Sequence, residues 1–405
     1  MATVKPFTAL RPPTEKAPAV ACVPYDVVSD AEVREITSAN PDSFLRVTRP
    51  EAEFGADDPA KAFAEGKHLL ERFVSGGLLV DDTEPCLYIY RLTDGGRQQT
   101  GIVGCCAIDD YDNGRIKKHE RTRPDKVRDR TDHMLALRAQ TGLIFLAFRN
   151  TDEMRDLIKQ ATAGEPVYNF PDAKGVQQTV WRVPRSEAIV EAFSRVPELY
   201  VADGHHRAES ASLARKELRA ANPDHTGAEA YNFVMAGIFP SEDLSIMAYN
   251  RVVKDLNGLS EQEFLTKLDE SFIVSEAKER EPDERGRFAM YLGGKWFSLR
   301  FNVNYFREPD VLERLDVQIL QQHLLTPILG IGDPRTDARI IFVGGGRGLD
   351  ELEEYVDSGR AAVAFSMFPT TMDDLFEVAD RGEIMPPKST WFEPKLKDGL
   401  LVHLI

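Results

Sequence analysis

The sequence is short of cysteine, of net positive charge and of long apolar runs, and each shortage excludes something. Its four cysteines, at positions 22, 86, 105 and 106, show no metal-ligand spacing and no Cys-x-x-Cys. The adjacent pair Cys105 and Cys106 is awkward for simple bridging, so buried thiols in a reduced, cytoplasmic protein are expected. Fifty Lys and Arg stand against 66 Asp and Glu, a formal charge of -16, which argues against non-specific binding to nucleic acid or anionic lipid. Any phosphate this chain holds must be met by a local positive patch. The opening MATVKPFTALRPP has no apolar signal core, and no stretch approaches the roughly 20 apolar residues of a membrane span. A soluble, cytoplasmic protein without membrane or nucleic-acid partners is the expectation, with homo-oligomerisation left open. A Ser-His-Asp nucleophile elbow is missing too. RIIFVGGGRGLDEL has the strand-glycine-helix look of a phosphate loop but lacks its Gly-Lys-Ser/Thr ending and the G-x-G-x-x-G spacing.

What is present is an ordinary globular composition over 405 residues, too many for one core. Two domains are expected, 1–248 and 249–405. Prolines 6, 12, 13 and 24 make residues 1–30 extended rather than helical. Ser29 caps a short helix that Asn40-Pro41 ends, and a second helix runs from DPAKAF to Gly76-Gly77. CLYIYRLT and QTGIVGCCAI read as a hairpin across DGG, LIFLAF as a buried strand, and YNFVMAGIF as a central one. The second series contains the hairpin RFAMYLGGKWFSLRF, the long amphipathic helix RLDVQILQQHLLTPIL and a closing segment, MPPKSTWFEPKLKDGLLVHLI, that reads as two strands. Strands and helices alternate too loosely for a doubly wound sheet. The fold class expected is α+β, with mixed sheets and helices.

The densest chemistry lies in YVADGHHRAESASLARKELRAA, where Asp203-Gly204 forms a turn into a helix with an apolar stripe at Ala211, Ala214, Leu218 and Ala221. His205, His206 and Arg207 then fall in the first helical turn, with Asp203 at or near the N-cap. Bare amides and the helix dipole favour an anion there, Gly204 permits close approach, and Arg207 adds a guanidinium fork. A histidine at that end is pushed toward its neutral form and can act as a base. Asp203 is a candidate Mg²⁺ ligand or proton acceptor. The bland alternative is that Asp203 merely caps the helix and the cluster is solvated surface. A metal reading pairs His205 with Glu209, but no second histidine completes the usual zinc pair.

A second concentration, RIKKHERTRPDKVRDRTDHM, gathers positive charge in an acidic chain. Pro124 breaks it, which predicts a loop leading into a helix capped by Thr131. His119 and Glu120 are a base beside a carboxylate, and Arg121, Arg123, Arg128 and Arg130 are candidate phosphate contacts; a solvated charge run is the plain alternative. Lys388-Ser389-Thr390 reads more simply as a β-turn than as a phosphate contact.

Taken together, CVPYDVVS, KKHERTRPDKVRDR, YVADGHHRAESA, LDVQILQQHLLTPILGI and MPPKSTWFEPKLKDGLLVHLI resemble domain-of-unknown-function family 1015 along essentially the whole chain. The Gly-x-x-Arg element at Gly204 to Arg207 is in turn similar to the nucleotide-contacting loop of the ParB/sulfiredoxin superfamily. That superfamily includes ATP- and CTP-binding members and free serine kinases. The resemblance implies a ParB/sulfiredoxin-like nucleotide-binding core in the first domain and a second α/β domain. It matches Gly204, His206 and Arg207 to the sulfiredoxin Gly, His and Arg. His205 stands where that pattern has its reactive cysteine, so sulfinic-acid repair is not implied. VKPFTALRP is similar to the superfamily's opening strand and makes Arg11 a second phosphate contact. The activity implied is phosphoryl transfer from ATP or ADP, with Mg²⁺, to a small hydroxylated metabolite such as free serine. Gly204, His205, Arg207, Arg128, Arg130 and Arg11 would hold the nucleotide, and His206, Glu120, Asp203 and His119 would do the chemistry. A nucleotide-binding regulator without turnover and a metal-dependent hydrolase using His119, His205 and Glu209 are the competing readings.

Overall fold

Asp94 and Arg97 are joined by Gly95 and Gly96 at φ of 52° and 85°, the left-handed pair that a two-residue hairpin turn needs. That hairpin is the middle of a nine-stranded sheet. Its strands in chain order are β1 (Val4–Lys5), β2 (Leu87–Asp94), β3 (Arg97–Ala107), β4 (Ile116–Lys117), β5 (Ile144–Phe148), β6 (Tyr168–Pro171), β7 (Gln177–Val183), β8 (Leu199–Asp203) and β9 (Phe233–Pro240). They lie in the order β4-β8-β5-β9-β3-β2-β7-β6, with β1 also on β3. Only β4–β8 and β5–β9 pair in parallel. The apolar runs of β5 and β8 are buried throughout, apart from the half-buried Asp203, as expected of strands covered on both faces.

The computed structural model describes residues 1–55, 57–302 and 310–405 and divides into two units. The first comprises Met1–Lys118, Thr122–Leu244 and Pro394–Ile405; the second comprises His119–Arg121 and Ser245–Glu393. Residues 394–405 thus group with the first unit rather than with residues 249–393. Backbone bridges Leu10–Val402 and Cys22–Asp398 hold them there.

Three helices frame the first unit's site: α1 (Pro59–Ser75), α2 (Pro124–Leu137) and α3 (His205–Ala220). Helix α2 corrects the sequence expectation. Pro124 sits in its first turn, where a missing N–H costs nothing, and so begins the helix rather than breaking it. Thr131 is therefore mid-helix, its hydroxyl donating to Val127 O at 2.7 Å. Helix α3 packs on α2 through small side chains, with Ser210 Oγ donating to the same carbonyl at 3.0 Å. Of the expected apolar stripe, Ala211, Ala214 and Leu218 are buried, whereas Ala221 lies past the helix end and is exposed. The apolar faces meet in a core built on Leu87, Ile102, Ile144, Leu146, Val201 and Ala208.

The second unit has its own antiparallel six-stranded sheet: β10 (Tyr249–Val253), β11 (Phe272–Glu276), β12 (Arg287–Leu292), β13 (Lys295–Phe301), β14 (Ile340–Gly344) and β15 (Val363–Met367), in the order β11-β13-β12-β15-β10-β14. Mixed and antiparallel sheets with interspersed helices make the molecule α+β. Three further expectations change. Residues 1–30 include one short helix, Ala17–Val20, whose Pro18 falls in the tolerated first turn. The expected helix over 314–329 is α-helical only over Asp316–Leu320 and continues as a π-turn, Gln321–Leu325. The C-terminal segment forms only the two-residue strands Trp391–Phe392 and His403–Leu404. Among the described residues no helix is long and apolar enough to cross a membrane, and all four cysteines are buried and unbridged.

Candidate functional site

Strand β8 ends in a bulge between Val201 and Asp203, and Gly204 then turns the chain into α3 at φ 89°. A side chain is strained at that φ, and a Cβ on Gly204 would stand 3.3 Å from Ile144 Cα, so the corner requires glycine. Asp203 does not cap the helix. Its Oδ1 accepts from the Gly204 amide at 2.8 Å and its Oδ2 from Lys395 Nζ at 2.7 Å, and α3 has no side-chain cap. Burial opposes ionisation of Asp203. The Lys395 ammonium, Arg207 and the Gly204 amide outweigh it and hold the carboxyl well below the usual range.

Arg207 reaches back under the sheet. Its guanidinium donates to Leu143 O at 2.7 Å, lies 3.5 Å from Asp398 and 3.8 Å from Asp26, and faces the Tyr25 ring at 5.3 Å. Burial works against its charge, but Asp398 and Asp26 more than restore it. Asp398 is itself buried, which raises its carboxyl to about 6 despite Arg207. Gly142 makes this pairing possible, since a Cβ there would fall 2.4 Å from Asp398 Oδ1 and 2.9 Å from Arg207 Nη1.

Two recesses share Arg207. One, with about 270 Å³ of empty space including its mouth, is lined by Asp203, Gly204, Lys395, Pro24 and Phe145. The other, about 460 Å³ on the same measure, runs past Tyr25, Arg130, His133, Thr141 and Asp398. Arg130 is buried there, stacked on Tyr25 at 4.6 Å, bonded to Asp129 and donating to Thr48 O at 3.1 Å. His133 Nε2 lies 2.8 Å from Val47 O, and burial lowers its pKa to about 3. It is neutral at pH 7, with Nε2–H donating to that carbonyl. Together the walls offer an ammonium, two guanidiniums and polar main chain to an anion, and a buried carboxylate to a donor.

The remaining sequence candidates have interactions of their own. His206 Nε2 accepts from the Arg123 amide at 3.1 Å, which engages the lone pair a base would use. His205 is buried at the start of α3. Arg128 is paired with Glu217 and Asp132 and Arg11 with Asp82 at 3.1 Å, and neither lines the two recesses. His119 and Glu120 group with the second unit, where His119 Nε2 lies 3.4 Å from Thr390 Oγ1. Glu209 is held by Tyr111 at 2.7 Å and Lys118 at 3.5 Å. Sequence reasoning missed Tyr25, Lys395 and Asp398 as site residues. The signal lay in polar residues embedded in CVPYD and PKLKDG, which no local spacing links to Gly204.

This corner, where several separated motifs converge on one half-buried arginine, defines an α+β protein with a charged cleft at a strand-to-helix turn. The chain belongs to the family described as "Protein of unknown function (DUF1015)", which matches residues 4–318. None of the curated proteins matches the sequence. Solved structures that it resembles include a free serine kinase in complex with AMP, at 16% identity and a TM-score of 0.36, covering 73% of this chain and 90% of that one. Others are SbnI with a C-terminal truncation from Staphylococcus aureus (12%, 0.40, 75% and 87%) and a conserved hypothetical protein from Pyrococcus furiosus (16%, 0.36, 74% and 94%).

Proposed function

We propose that the first unit binds a nucleotide with its phosphates at the Gly204 corner and passes a phosphoryl group to a small hydroxylated metabolite. The observation that carries this reading is the open recess at the start of α3, where an uncapped helix N-terminus, Lys395 and Arg207 face the same space. Phosphoryl transfer needs positioning and charge neutralisation above all, and these groups supply both. Lys395 would trade its bond to Asp203 for one to a phosphate oxygen. Asp203, left ionised, suits a Mg²⁺ ion that arrives on the phosphates. Mg²⁺ takes one or two carboxylates plus phosphate oxygens and water, so a single carboxylate fits that role but would not hold the ion alone.

The acceptor would occupy the neighbouring recess, where Asp398 is the best-suited proton acceptor. It is buried, it faces the cavity, and its pKa of about 6 lies near the working pH. His206 would first have to release the Arg123 amide. The test is incubation of the full chain with ATP or ADP, Mg²⁺ and a panel of hydroxylated metabolites including free serine. A phosphorylated product found by mass spectrometry is expected. Nucleotide binding without product from any acceptor would move the assignment to a regulatory nucleotide-binding protein. One observation favours that second reading: Arg207 already has its ionic partners within the protein.

A further inference from the structure

The motif RLDVQIL, which carries part of the family likeness, takes no part in the nucleotide site. It places Asp316 on the wall of a separate recess in the second unit. Asp316 is 93% buried (7% exposed), and its Oδ1 accepts from the Gly286 amide at 2.9 Å. Its Oδ2 is buried and has no hydrogen-bond partner among the described residues. The recess holds about 190 Å³ of empty space including its mouth, and its inner part admits a group the size of one water molecule. Leu315, Phe368 and Pro369 form apolar walls.

The other polar groups on this recess are committed. Arg285 donates to Asp374 Oδ2 at 2.6 Å, and Asp374 also accepts from the Thr371 amide and hydroxyl at 3.0 and 2.7 Å. Thr370 donates to Ser389 O at 2.9 Å. Arg314, 3.9 Å from Asp374, is paired with Glu377. A buried carboxylate oxygen with no donor costs free energy unless a ligand supplies one. We propose that this recess binds the protonated amino group of a small alkyl amine, with Asp316 Oδ2 as acceptor and counter-ion and the apolar walls around the alkyl chain. A divalent metal does not suit it, since zinc takes about four ligands and calcium or magnesium about six or more, whereas this floor offers one oxygen.

The charged groups facing Asp316 are Arg285, which favours its ionised form, and Asp374, which opposes it; burial dominates and raises the carboxyl to about 7. Affinity for an alkylammonium ion, whose own charge persists to about pH 10, should therefore rise about tenfold between about pH 6 and pH 8. The experiment titrates the full chain with butylammonium chloride and, separately, with tetramethylammonium chloride, which has no N–H to donate. Saturable butylammonium binding, no tetramethylammonium binding, and about a tenfold or greater loss in Asp316→Asn are expected. No saturation by about 100 mM, a recess that takes only water, would overturn the proposal, since even weak one-point ion pairs show by then. Equal affinity in the folded Asn variant would do the same. Should that variant not fold, the wild-type profile decides: equal uptake of both cations, or no change with pH, ends the case.

Discussion

At the scale of single residues the corner is built from unequal parts. Gly204 is required by its φ of 89° and by Ile144, so Gly204→Ala should cost about 1–2 kcal/mol of stability, read by urea unfolding. Arg207 is a different case. The sequence alone suggests a guanidinium fork for an anion, but the side chain is also an ion-pair partner of buried Asp398. Arg207→Ala should therefore destabilise by about 3 kcal/mol, and adding Asp398→Asn should recover part of that loss, because an uncompensated buried charge is the expensive term. Titration follows from the same burial. His133 has a folded-state pKa of about 3, against about 6.5 unfolded, so the unfolded chain binds the extra proton. Its stabilising effect is complete above about pH 6.5 and is lost as pH falls toward 3, at up to about 1.4 kcal/mol per pH unit. Asp203, held low, acts in the same direction below about pH 4. Asp398, raised to about 6, acts oppositely, its contribution shrinking as pH rises from about 4 to 6. Unfolding midpoints measured against pH should fall less steeply below about pH 6.5 in His133→Gln than in the wild type. An unchanged slope would mean that His133 takes up its proton as readily in the folded chain as in the unfolded one.

Elements show what a sequence discloses and what it withholds. The Ser29 cap, the helix from Pro59 to Gly76, the two glycine hairpins and the strand-turn-helix at Gly204 were all legible, because each is set by residues within a few positions of one another. Helix α2 was not. Its buried face carries Arg130, Thr131 and His133 among the apolar residues, so the periodicity that marks a helix is interrupted, and Pro124 reads equally as a breaker or a first-turn residue. The site was half legible for the same reason. Gly204 and Arg207 announce themselves locally, whereas Lys395 and Asp398 reach the corner only because the last residues pair with Leu10 and Cys22. Ser29→Ala, which removes the cap of the helix Asp30–Ala39, should cost about 1 kcal/mol, measurable by thermal or urea unfolding, and no more, since that helix is largely exposed.

For the molecule as a whole, the first unit is closed by its own C-terminal segment. Lys395 on Asp203, Lys397 on Asp172 at 2.6 Å and Asp398 beside Arg207 are three charged ties in four residues. A chain ending at residue 393 should lose cooperative unfolding of the first unit, seen as early amide exchange in β5 and β8 with β10 and β15 still protected. The central claim is that this closed corner grips a nucleotide's phosphates. Calorimetric titration of ATP with Mg²⁺ into the full chain and into Lys395→Ala tests it most directly. Saturable wild-type binding, weakened at least about tenfold in the folded variant, is the predicted result. No saturable heat at millimolar nucleotide, or equal affinity in both proteins, would contradict it.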